Sequence, residues 1–226
     1  TQNSKIVLDQ SLKQIIANKN FNENKNKSLF ESIETLACSK CPAYDTLKIA
    51  SYIFDVTIVG GSICENVNNK LYNTCYIFEN GIEIGKHRKV HLFDIDVPGR
   101  ITFKESEVLT AGSEVTVVNS KVGKLGIGIC YDIRFAEYAM CLRNLGADIL
   151  IYPSVFNFTT GPLHFQGSGM ARSLDTQCYT IQASTASNFE LPNHVISYGK
   201  STVTDFNGKI IKEMNHEEGI IDVTLN

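Results

Sequence analysis

From residue 124 onward the chain alternates short apolar runs with amphipathic ones: KLGIGIC, FAEYAMCLRNLG, ADILIYPSVF and CYTIQAS. The first, third and fourth are brief and apolar and read as buried strands, while the second has helical spacing. A further helix is expected through Met170 to Asp175, ahead of CYTIQAS. Earlier, LYNTCYIF (71–78) and IEIGKHRKV (82–90) flank Glu79-Asn80-Gly81, and Asn-Gly between such runs is the strongest short-range hairpin signal. A chain whose strands are joined both by helices and by hairpins implies mixed sheets with helices packed outside. The other strand-like runs fit that frame: DVTIVGGSI (55–63), VTVVN (115–119), KSTVTD (200–205), KIIKEM (209–214) and GIIDVTL (219–225). An amphipathic helix is expected over SKIVLDQSLKQIIA (4–17), where Ile6, Leu8, Leu12, Ile15 and Ile16 fall near helical spacing, and another from Thr46 to Phe54. NKNFNENKNK (18–27) is too polar to bury and reads as an exposed loop. HLFDIDVPGRITFKES (91–106), with turn chemistry at Pro98-Gly99, reads as an irregular functional loop.

At 226 residues, with 43% hydrophobic and 20% charged residues, the chain can bury a sizeable core. Its net charge of -3 and pI near 6.0 argue against a nucleic-acid or anionic-membrane partner, either of which selects for a basic face. No apolar run approaches the roughly 20 residues that span a bilayer, and the first residues given, TQNSKIVLDQ, have neither the basic n-region nor the long apolar h-region of a signal peptide, so none is expected in them. Seven cysteines, an odd number scattered through apolar segments, favour free thiols in a reducing, cytosol-like compartment. The mitochondrion is the alternative if a targeting segment precedes residue 1. Cys38 and Cys41 form a CxxC, but no second pair follows at ligand spacing, so they read as unrelated thiols and no metal is expected.

Cys130 stands apart from the other cysteines. The glycine-rich strand GKLGIGI leads into it and a helix is expected just after it, a strand–turn–helix geometry that exposes a side chain at the end of a sheet. Backbone N–H groups there lower a thiol pKa and receive an oxyanion. A thiol that attacks an amide needs a proton acceptor, an oxyanion donor and an acid for the leaving amine. Two residues are candidates for helping it: His91, as the base of a papain-like pair, and Lys89, whose flexible ammonium ends a predicted strand.

Long blocks of the chain resemble the nitrilase superfamily of carbon–nitrogen hydrolases, and within it the ω-amidase branch. They are KHRKVHLFDIDVPGRITFKESE, GIGICYDIRFAE and YPSVFNFTTGPLHF, with VGGSI, KLYNTC and GKSTV besides. The resemblance implies an α/β fold, a four-layer α-β-β-α sandwich with two mixed β-sheets. It implies one carbon–nitrogen hydrolase domain over 1–226, lacking the family's first strand and C-terminal arm. It also implies a Glu–Lys–Cys triad with a second assisting glutamate, and no cofactor. Residue by residue, Cys130 is the nucleophile, Lys89 the lysine and Glu105 the assisting carboxylate. The first glutamate falls on Glu31 in SLFESIETLACSK, where Phe30 replaces the usual proline, with Glu34 as the fallback. The oxyanion would be held by Lys89 and the Tyr131 N–H, and a distal substrate carboxylate by Arg134, Thr159 and Thr160. The implied reaction is hydrolysis of a small ω-amide of a dicarboxylic acid, such as α-ketoglutaramate or succinamate, through a cysteine thioester. A homodimer is the implied assembly. The competing reading is a non-catalytic relative, a binding or scaffold protein that has lost the glutamate base.

Overall fold

A computed structural model describes residues 4–9, 14–17, 41–98, 101–190 and 196–226. Strands β1 (Ser4–Asp9), β2 (Gln14–Ala17), β3 (Thr57–Val67), β4 (Lys70–Glu79), β5 (Ile82–Arg88) and β14 (Ile220–Leu225) make one sheet, in the order β14-β1-β2-β3-β4-β5. Strands β8 (Thr116–Ser120), β9 (Gly123–Ile127), β10 (Ile149–Ser154), β11 (Tyr179–Ser184), β12 (Thr202–Thr204) and β13 (Ile210–Glu213) make the second, in the order β13-β12-β11-β10-β9-β8. A two-stranded ribbon, β6 (Asp94–Val97) with β7 (Ile101–Lys104), stands apart.

Alternation along the strands explains the layering, because successive side chains point to opposite faces. In β10, Ile149 and Ile151 point into the core between the sheets, while Leu150 and Tyr152 face outward. There they meet α2 (Ala136–Asn144) and α3 (Gly161–Thr176), through residues such as Leu142 and Phe165. In β4, Cys75 and Ile77 join the inter-sheet core, while Phe78 faces outward under α1 (Pro42–Ile53) with Ile58, Leu47 and Ala50. The described layers therefore stack helix, sheet, sheet, helix.

Only the second sheet is mixed. Its β9-β10 and β10-β11 pairs are parallel because α2 and α3 carry the chain back between them, as parallel neighbours require. Every pair of the first sheet is antiparallel. The helix expected over 4–17 is instead two antiparallel strands, with Ile6 opposite Ala17 and Leu8 opposite Ile15. Ile6 and Leu8 satisfy a period of two as well as 3.6, and β-branched isoleucine favours the strand. The 91–106 segment is more regular than expected, since β6 and β7 pair across it and Glu105 opens a 3₁₀ turn, Glu105–Glu107. The helix expected near 170–175 is the end of the longer α3.

Candidate active site

β9 ends at Ile127, and the chain then turns so sharply that Cys130 adopts a φ of +48° before the 3₁₀ turn Cys130–Arg134. Left-handed backbone at a residue with a side chain costs about 1–2 kcal/mol, so the surroundings must hold it. The Gly128 N–H donates to the Ile151 carbonyl at 3.0 Å. A Cβ on Gly128 would lie 2.5 Å from the Tyr152 ring, so glycine alone lets the turn sit on β10. The Cys130 thiol, half-buried, donates to the Val155 carbonyl at 3.5 Å.

Lys89 follows β5 directly. Its N–H donates to the Asn73 carbonyl and its own carbonyl accepts the Gly112 N–H, both at 2.8 Å. The side chain is 1% exposed, and Nζ lies 2.6 Å from Glu105 Oε2. The same oxygen accepts the Phe93 N–H at 2.8 Å. The buried ammonium and the half-buried carboxylate are thus joined by a charge-assisted hydrogen bond.

Lys89, Glu105 and Cys130 line one cavity of about 240 Å³, with Asn73 and the bulged Gly61–Ser62 segment of β3 on its wall. A second chamber of about 260 Å³ shares Glu105, Cys130 and Val155 with it. Its walls are apolar (Phe93, Phe103, Tyr131, Phe156), and Arg134, Thr160 and His164 supply polar groups. Thr159 does not line either chamber; its N–H, like that of Thr160, donates to Asn157 Oδ1 at the entry to α3. Glu31 and Glu34 lie outside the described residues, as does Cys38 of the CxxC.

Burial pushes the Cys130 thiol above its ordinary pKa of 9.0; the Lys89 ammonium and the Val155 hydrogen bond pull it back, while Glu105 and Asp132 add to the rise. Burial also lowers the His164 pKa, and the nearby Arg134 cation adds to that. Behind the elbow, burial alone would raise the Asp132 carboxyl, but hydrogen bonds from His87 and His91 overcome it and hold the group far below the usual range. His91 donates through N–H (2.9 Å) and Nδ1 (2.8 Å) to Asp132 and lines neither chamber. Lys89, not His91, shares the cavity with the thiol, against the papain-like alternative. Asp132, Asn157 and His164 were not singled out in the sequence. Each owes its place to partners far along the chain or to the start of α3.

A thiol, an ammonium and a carboxylate around one cavity suit acyl transfer from an amide. Among the described residues no group of His, Cys, Asp and Glu is arranged to hold a metal ion, and no helix is long and apolar enough to cross a membrane.

Residues 27–226 match the family model for carbon–nitrogen hydrolases. The chloroplastic omega-amidase of Arabidopsis thaliana is 47% identical over 181 residues, covering 80% of this chain and 48% of that protein. Omega-amidase NIT3 of Saccharomyces cerevisiae is 47% identical over 176 residues, covering 76% of this chain and 60% of that protein. The matched span is thus about half to three-fifths of these relatives' length. The crystal structure of yeast Nit3, a member of branch 10 of the nitrilase superfamily, superimposes with a TM-score of 0.80 at 32% identity, covering 100% of this chain and 91% of that one.

Proposed function

Because the chain belongs to the carbon–nitrogen hydrolase family, we propose that it hydrolyses a small ω-amide of a dicarboxylic acid to the carboxylate and ammonia through a thioester at Cys130. The observation that carries this reading is the meeting of Cys130, Lys89 and Glu105 around one cavity. The omega-amidase relatives support the substrate class.

A thiol whose pKa is raised is a weak nucleophile, so a base must take its proton as it attacks the amide carbon. We assign that base to Glu31, which lies inside the span that matches the family. The carbonyl oxygen becomes an oxyanion, held by the Lys89 ammonium and the Tyr131 N–H, and Glu105 keeps Lys89 aimed at it. Collapse breaks the C–N bond, and the protonated glutamate gives its proton to the departing ammonia. Water, deprotonated by the same carboxylate, then attacks the thioester, releasing the acid and the thiol. The net change is amide plus water to carboxylate plus ammonia.

The larger chamber fits the rest of such a substrate. Its aromatic walls take the methylene linker, and Arg134 has no carboxylate partner among the described residues, which leaves its guanidinium to meet a distal carboxylate with Thr160. The free thiols of Cys64, Cys75, Cys130, Cys141 and Cys178 support a reducing, cytoplasmic setting, and a second copy of the chain is the proposed partner. The test is ammonia release from α-ketoglutaramate or succinamate by the protein and by Cys130→Ala. The substitution is expected to abolish release; undiminished release would sink the mechanism.

A further inference from the structure

Cys130 and Lys89 come from different sheets, 41 residues apart in sequence, yet the chemistry needs their separation fixed to a fraction of an ångström. The Lys89 backbone is tied to Asn73 and Gly112; neither belongs to the elbow that carries the thiol. The connection runs through Asp132. This carboxylate is fully buried in the 3₁₀ turn, two positions past Cys130. Oδ2 accepts the Ile129 N–H at 2.8 Å, while the Asp132 N–H donates back to the Ile129 carbonyl at 3.0 Å, closing the strained elbow on itself. The same carboxylate reaches across to the lysine strand. Oδ2 accepts from His87 Nε2 at 3.2 Å, and Oδ1 accepts from the His91 N–H and Nδ1 at 2.9 and 2.8 Å.

His87 and His91 stand at the positions two before and two after Lys89. A carboxylate offers about four acceptor sites, and all four are taken: one by the elbow and three by the residues on either side of the lysine. Since an ionised carboxylate only accepts, both rings present N–H to it. His91 is further fixed by stacking on Phe135, at 3.7 Å between ring centroids, just beyond the 3₁₀ turn. Thr116 Oγ1 lies 3.0 Å from His87 Nδ1, and Tyr138 gives its proton to the Ile127 carbonyl at 2.6 Å, leaving its oxygen to face His87.

We propose that Asp132, gripped by His87 and His91, is a positioning residue that locks the nucleophile elbow to the strand carrying Lys89. Neither histidine touches the reacting atoms. The role of their rings is to donate one hydrogen bond each, in fixed directions, to the carboxylate beneath the thiol. This deepens the thioester reading and rests on it for its kinetic consequences, but the lock has a readout that needs no substrate.

That readout is the pH dependence of Cys130 alkylation by iodoacetamide, followed by mass spectrometry. Among the described residues the charged groups that act on the thiol are Lys89, Glu105 and Asp132, and the base assigned above, Glu31, is common to every variant compared. His91→Ala removes a donor from Asp132, so the carboxylate's field on the thiol grows, and it frees Lys89 to drift away; both effects disfavour the thiolate. The alkylation midpoint is expected to move to higher pH and kcat to fall on the order of 10- to 100-fold, with KM little changed. His91→Asn places an amide N–H where Nδ1–H stood, and His87→Gln does the same for Nε2–H. Both are expected to keep the wild-type alkylation profile and most of kcat, whereas His87→Leu follows His91→Ala. These pairs are used because Asp132 variants risk unfolding, and a thermal melt of each variant accompanies the assay. If His91→Ala keeps the wild-type alkylation profile, or if His91→Asn falls as far as His91→Ala, the lock is refuted. Loss of all amide turnover in the wild type would count against the thioester reading and leave the alkylation arm to judge the lock.

Discussion

Lys89 shows how much a single buried charge decides. Among the described residues the Lys89 ammonium, at 1% exposure, pairs with Glu105, and breaking a buried pair costs about 3–5 kcal/mol by stranding the other charge. Lys89→Met keeps the stem's length and removes the donor. It is expected to lower kcat by about 10²- to 10³-fold, the usual loss for one oxyanion donor, and to reduce thermal stability as well. The thiol reports the same charge. Burial disfavours its ionised form, so alkylation of wild-type Cys130 should have its midpoint above the ordinary thiol value of 9.0, and Lys89→Met should push that midpoint higher still. A midpoint below 9.0 in the wild type would show that the field at the thiol has been misread. The sequence exposed Cys130, Lys89 and Glu105 through long blocks of resemblance. It hid Asp132, whose meaning lies in donors 41 and 45 positions upstream, a pairing that no local pattern carries.

The elements supply the rigidity behind those residues. On the outer face of the first sheet, Glu65 of β3 accepts two hydrogen bonds from Arg88 (2.8 and 3.1 Å), one from Lys86 and one from Thr74, riveting β3, β4 and β5 next to Lys89. The Arg88 hydrogen bonds lower the Glu65 pKa from 4.5 to about 2, against the opposing effect of burial. A depressed carboxyl pKa contributes stability that is present above the unfolded value and lost as pH falls through the folded one. Glu65→Gln should therefore be less stable than wild type at neutral pH, and the gap in urea midpoint should narrow as pH drops from 4.5 toward about 2; a constant gap would mean the rivet does not depend on charge. In α3, Gly169 is fixed by contact, since a Cβ there would run into the Gln182 amide, which donates to the Phe165 carbonyl at 2.8 Å. Gly169→Ala should cost about 1–3 kcal/mol, the range for overpacking a core, and lower Tm by several degrees. That contact explains why a glycine sits inside a helix that the sequence marked only near 170–175: the intrinsic penalty was legible, the compensating approach of β11 was not. The opposite error at 4–17 has a similar origin. Short runs such as KIVL and QII satisfy both periods, and only the pairing of β1 with β14 and β2 decides between them.

At the scale of the whole molecule, the site exists because two sheets stack. The first carries Lys89 at the end of β5, the second carries Cys130 past the end of β9, and the core between them, from Val59 and Ile77 to Ile127 and Ile151, sets how far apart they stand. The outer helices complete the sandwich but leave apolar surface of their own. Leu163, Met170 and Leu174 recur at seven- and four-residue spacing, so they form one stripe along α3, and all three are exposed, Leu163 at 73%. Met140 and Leu145, from α2 and the residue after it, are exposed on the same side of the second sheet. Isolated exposed leucines are ordinary, whereas a helical stripe of them marks a surface made for contact. A second copy of the chain would bury that stripe symmetrically. Light scattering coupled to size exclusion should then give twice the 25.1 kDa chain mass for the wild type and the single-chain mass for Leu163→Asp. Because Leu163, Met170 and Leu174 line neither chamber, the monomeric variant should still show the wild-type pH profile of Cys130 alkylation. A wild-type mass of one chain at every concentration tested would assign the stripe to another partner and leave the site, which one chain builds from its own two sheets, as described.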